Sequence, residues 1–250
     1  MLNPQLTNVV IASLKAAGIT PPELSPVRPF PKPRATTEEL INALANSKLE
    51  DPYQDPAVIA IASKHYVQSL GTLDQGHRQM ELERRAAELD SHKDLIIEQL
   101  QEEFNKAAQE LIQQAEPIKG VTDPATISPR SASHDFAVAA TNVVHGIMKL
   151  ESIIKAWSDL WAALGVGQPR DMARPFIFMN PNARTWTELR LNPTIWEAIR
   201  HGEPLTLAGT PQHVNERYSA MWDNEQAALD EVQESFHRKN GAAMLKAFRS

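Results

Sequence analysis

The chain has no cysteine among its 250 residues. That excludes disulfides, cysteine nucleophiles and thiolate metal sites, and it fits a cytoplasmic protein. No apolar run approaches the ~20 residues needed to cross a bilayer. Residues 1–18 lack a basic start, a continuous apolar run and a small-residue cleavage site. Neither a membrane span nor a secretory signal is therefore expected. The net charge of −6 disfavours broad electrostatic binding to nucleic acid or anionic membranes. There is no Gly-rich phosphate loop, no HExxH, no Gly-x-Ser-x-Gly and no EF-hand loop. Gly165-Val166-Gly167 follows a helical pattern instead of a strand, so it reads as a helix stop.

What is present is hydrophobic periodicity. Phe136, Ala140, Val143, Ile147, Leu150, Ile154, Trp157, Trp161 and Leu164 step by fours and threes. A seam of that kind is what coiled coils and helical bundles use. Val138, Val144, Met148, Ile153 and Leu160 lie off the seam, and few charges interrupt the segment. So wide an apolar surface predicts contact with more than one neighbour. Ser133 is the expected N-cap and Gly165 the expected C-terminal stop.

A second run, from His77 to Glu116, carries Leu82, Ala86, Leu89, Ile96, Leu100, Phe104 and Leu111 on one face. It is more charged and is expected to keep its other face in water. The pattern upstream leaves open whether 55–116 is one helix or two, with Gly71 and Gly76 as the weak points. The connection over 117–133, interrupted by Pro117, Gly120, Pro124 and Pro129, is either ordered over a hairpin tip or a mobile loop. A connection between two seamed helices predicts that 77–116 folds back against 134–164.

Capping chemistry marks further boundaries. Asn3-Pro4, Asp55-Pro56, Asn192-Pro193 and Thr210-Pro211 each pair a capping side chain with a proline suited to the first helical turn. Thr36 with Glu39 reads as a capping box. The prolines between Pro21 and Pro33 require an extended segment, either a strap across the surface or a linker, and Pro26-Val27-Arg28-Pro29 matches a PxxP pattern. After Gly165, Phe176-Ile177-Phe178-Met179 and Thr185–Leu191 predict a small β-hairpin, joined by Leu205-Thr206-Leu207.

The expected fold is mainly α: a long antiparallel, coiled-coil-like helical hairpin within a helical bundle, with a small irregular or β insertion. Its expected divisions are 1–35, an N-terminal helix and Pro-rich strap; 36–165, the bundle with the hairpin; 166–208, the insertion; and 209–250, a C-terminal helix packed on the bundle.

Such a chain is expected to be a non-enzymatic scaffold, adaptor or assembly protein working through protein contacts, with a protein partner or self-association and no cofactor or metal. The expected partner-binding residues are Trp157, Trp161, Phe176, Phe178 and Trp186, since buried aromatic anchors dominate such interfaces. One alternative is nucleic-acid binding through Arg170, Arg174, Arg184 and Arg190 around those aromatics. Another is an enzyme with a pocket where the 166–208 insertion meets the bundle, using Glu188, Arg190 and His201. Glu234 with His237 is the single Glu-x-x-His spacing, and one copy does not make a di-iron site.

Overall fold

Helix starts in this protein follow their capping side chains. The computed structural model describes residues 2–26, 35–69, 72–127, 132–167, 169, 171–224 and 226. The chain is mainly helical. Helix α1 spans Thr7–Ala16, α2 Thr37–Asn46, α3 Pro56–Ser69, α4 Thr72–Ser91, α5 Lys93–Ala115, α6 His134–Ala163, α7 Ala183–Leu189 and α8 Ile195–Arg200. A last helix, α9, covers 211–224 of the described residues. None of the helices among these residues is long and apolar enough to cross a membrane.

The capping expectations hold at most starts. Asn3 caps a 3-10 turn, Pro4–Leu6, that leads into α1. Thr36 and Glu39 form the reciprocal capping box of α2. The Asp55 carboxylate accepts from the Ala57 N–H at 2.9 Å ahead of α3, and Thr210 Oγ1 accepts from the His213 N–H at 3.1 Å in α9. Asn192-Pro193 does not open a helix. Thr194, two residues after Asn192, takes the Glu197 N–H at 3.2 Å and sets the start of α8 at Ile195.

The chain divides into two compact units, one made of Met1–Thr7 and Glu23–Ser91, the other of Asn8–Pro22 and His92–Ser250. In the first unit α2 packs on α3, and the Pro4–Leu6 turn packs on α4. The end of the described strap is tied to α4: Glu88 accepts from the Ser25 N–H at 2.9 Å, and Arg84 donates to the Pro26 carbonyl at 3.0 Å. Hydrogen bonds from the Ser25 side chain and the Ser25 N–H, and then the Arg84 guanidinium, hold the Glu88 carboxyl below its ordinary pKa. Val27–Arg34 and with them most of the PxxP motif lie outside the described residues.

The expectation of one helix from 77 to 116 is corrected. The chain leaves the helical conformation at His92 (φ −102°, ψ 5°), so the run is split into α4 and α5. His92 makes no side-chain cap, and the apolar stripe passes through the break without a change of register, which is why periodicity alone cannot reveal it. Gly76 does not break α4, while Leu70 and Gly71 lie outside the described residues.

In the second unit α5 packs along α6. Lys149 pairs with Glu103 at 2.5 Å, and Gly146 faces Leu111. A Cβ on Gly146 would lie 2.8 Å from Leu111 Cδ1, so glycine lets the two helices approach there. Ile96, Leu100, Phe104, Ala107, Ala108, Leu111 and Ala115 of α5 are buried. On α6 the Ser133 cap and Gly165, at φ 71°, stand where the sequence places them. The buried stripe differs from the 3.5-residue seam. Ile153 and Leu160, off that seam, are fully buried, whereas Phe136, Trp161 and Leu164 are only half-buried.

The β-hairpin is also corrected. Thr185–Leu189 belongs to α7, because Asn182 caps the segment by accepting the Thr185 N–H at 3.0 Å. Asp171–Ile177 is a 3-10 turn. Among the described residues the extended pairing is one isolated bridge, Met179 with Leu205. Beside it the Thr206 N–H donates to the Phe178 carbonyl at 2.9 Å and the Ala208 N–H to the Ile177 carbonyl at 2.8 Å.

Candidate functional site

Helix α6 carries a second stripe beside its buried one. Val144, Ile147, Met148, Glu151, Ile154, Lys155 and Ser158 repeat at helical spacing and line two adjoining cavities in the second unit. The larger cavity, of about 690 Å³, has Ile154, Pro175, Phe178 and Ile195 as apolar lining, with Glu151, Lys155 and Arg174 also on its wall. The smaller, of about 410 Å³, lies between Val144, Ile147 and Met148 on one side and Pro124, Trp196 and Glu197 on others. Glu151, Thr194 and Ile195 border both, which makes the two cavities one groove along α6. From Val144 to Ser158 the groove follows about 21 Å of helix, at ~1.5 Å per residue.

The walls are held by specific bonds. Trp196, buried in α8, donates its Nε1–H to the Val121 carbonyl at 3.1 Å, fixing α8 to the chain before the Pro124–Thr126 turn. Arg217 of α9 donates to the Phe176 carbonyl at 3.1 Å, the Thr206 carbonyl at 2.9 Å and Thr206 Oγ1 at 3.1 Å. It has no carboxylate partner among the described residues, and burial pushes its pKa below the ordinary arginine value. A guanidinium's donors suit the turn because several carbonyls converge there. Behind the wall, Phe176 lies 4.8 Å from Trp186 in a tilted pair and meets Tyr218 edge-on at 5.5 Å.

The aromatic residues singled out from sequence occupy different places. Trp157 and Phe176 are fully buried, Trp186 and Phe178 nearly so, and Trp161 is half-buried. Trp157 and Trp161 lie 6.1 Å apart in a tilted pair. Of the five, Phe178 lines the groove. Arg174, Arg184 and Arg190 are exposed, with Arg174 on the groove and the other two on and just after α7; Arg170 lies outside the described residues.

Glu188 and His201 meet, with His201 Nδ1 3.1 Å from the carboxylate. Glu197 is 3.8 Å from Nε2 but is engaged by Arg200 at 2.7 Å. Neither Glu188, Arg190 nor His201 lines the groove. Among the described residues no group of three histidine or carboxylate side chains is placed to hold a metal. Glu234 and His237 lie outside them.

Sequence reasoning missed Glu151, Lys155 and Thr194 on the groove, and named Arg174 only as a nucleic-acid contact. The available signal was the off-seam pair Val144 and Met148, one turn apart and followed by Glu151 and Lys155 at the same spacing. No protein-family model, no curated protein and no solved structure matches this chain.

Proposed function

We propose that this chain is a non-enzymatic helical scaffold, adaptor or assembly protein that works through protein contacts in the cytoplasm. One observation carries the reading: the second apolar stripe of α6 lines an open groove, with Met148 58% exposed, beside a stripe that is sealed. An apolar surface bordered by polar residues is the kind of patch that marks an interaction site. In this reading α5 and α6 form an antiparallel hairpin of coiled-coil type, supported by the order of their contacts: Glu103 meets Lys149, and Leu111, further along α5, meets the earlier Gly146. That hairpin is the rigid frame, and the segments from 171 to 208 are the variable wall placed on it.

The test is the size of the particle that contains the chain. Extract of the source cells is fractionated by size exclusion, and the purified chain is weighed by light scattering over a range of concentrations. The reading expects the chain in complexes well above its own 27.8 kDa in extract, in purified form or in both. A chain that travels alone at 27.8 kDa in both would contradict it.

A further inference from the structure

The charged residues along the groove fall into two sets. Lys155 is paired with Asp159 at 2.6 Å, Glu197 with Arg200 at 2.7 Å, and Asp123 caps the Ala125 N–H at 2.9 Å. Glu151 and Arg174 are different. Both are exposed and border the larger cavity, and neither has an ion-pair or hydrogen-bond partner among the described residues. The same cavity is lined mostly by apolar residues, among them Ile154, Phe178 and Ile195, which are 9%, 7% and 4% exposed, with Lys155, Ser158 and Thr194 as its other polar residues. A free carboxylate and a free guanidinium on one apolar cleft call for an occupant with an apolar body and both signs of charge.

The dimensions narrow the choice. A cavity of about 690 Å³ has room for several apolar side chains, within the usual range for binding pockets. The groove's run of about 21 Å along α6 equals roughly six residues of extended chain, at ~3.3–3.6 Å each. A nucleic acid would bring its phosphates against Asp123, Glu151 and Glu197, which line the same groove.

The geometry points to a peptide-docking groove: it takes a linear segment of a partner protein, about six residues long, that seats large apolar side chains between Ile154, Phe178 and Ile195, with a basic group meeting Glu151 and an acidic group meeting Arg174. This rests on the contact-protein reading and specifies its site and the chemistry of its partner.

The purified full chain is panned against a random dodecapeptide phage library, and enriched peptides are measured by fluorescence anisotropy. The expected result is a consensus with apolar residues flanked by one basic and one acidic residue. Glu151→Lys and Arg174→Glu each weaken that binding about fivefold or more, and substituting the matching charge in the peptide restores it. Both positions are exposed, so the variants are expected to fold, which circular dichroism verifies. The inference is overturned if no consensus emerges, or if enriched peptides bind wild type and both reversals equally. It is also overturned if the purified chain forms a dimer that both reversals abolish, because the occupant is then a second copy. Failure here leaves the particle-size test standing by itself: a chain found in large complexes but selecting no peptide keeps its contact role and loses this groove as the site.

Discussion

The two faces of α6 are made of nearly the same residue types and have opposite fates. On one, Ala140, Val143, Leu150, Ile153, Trp157 and Leu160 are all but fully buried, and α5 packs along the helix. On the other, Val144 and Ile147 are half-buried, Met148 is exposed, and the stripe continues into Glu151 and Lys155 along an open groove. What separates them is geometry: α5 packs along α6, with Gly146 admitting Leu111, while the second face is met by turns and short helices that stand off and leave cavities. The difference teaches that apolar spacing identifies a face that wants burial but not the element that buries it, nor whether burial is completed.

Substitutions sharpen that contrast, and the largest effect belongs to the sealed face. Trp157→Ala is expected to cost about 3–5 kcal/mol in urea unfolding, because truncating a fully buried aromatic removes its transfer free energy and leaves a cavity. Arg217→Ala is expected to cost about 2–3 kcal/mol, since it strands the Phe176 and Thr206 carbonyls that receive its hydrogen bonds. That loss loosens the groove wall without touching α6. Gly146→Ala tests the close approach directly: its methyl meets Leu111 and is expected to cost about 1–3 kcal/mol through overpacking. Ser133→Ala removes the hydroxyl that accepts the Phe136 N–H, and about 1 kcal/mol is expected from loss of the cap, acting on the helix irrespective of face. Met148→Ala, on the open face, is expected to change stability by about 0.5 kcal/mol or less. A loss above 2 kcal/mol at Met148, measured in the same denaturant series, would break the comparison.

Much of the helical layout was legible in residues alone. Ser133, Thr36, Asn3 and Asp55 announce their helices because a capping side chain acts on N–H groups two or three residues away. Gly165 announces the end of α6 because its positive φ disfavours other residues. The break at His92 was not read: no proline or glycine stands there, the Ser91 hydroxyl beside it donates back to the Glu88 carbonyl at 2.6 Å, and the apolar spacing continues on both sides. The strand reading of Thr185–Leu191 failed because a single cap, Asn182, outweighs β propensity over so short a segment. Of the candidate site, Val144 and Met148 of α6's second stripe were visible as residues in excess of one seam, whereas Ile147 and Ile154 were read as part of that seam. Thr194 was not visible, and Arg174 was named from sequence only for a different site, because their place on the groove depends on how 171–197 crosses α6, a tertiary fact with no local signature.

The absence of cysteine makes the central claim open to one direct measurement. Met148→Cys and Ile153→Cys each place a single thiol in the chain, one on the open stripe and one on the sealed one. Labelling by a disulfide reagent is followed at low protein concentration in native buffer, with the unfolded chain as reference. The account predicts that the thiol at 148 reacts within about tenfold of the unfolded rate. The thiol at 153 should react at least ~10³-fold more slowly, because it waits for opening of the packed helices. Equal and strong protection at both positions in the monomer would contradict the account, since the second face of α6 would then be core and not a groove.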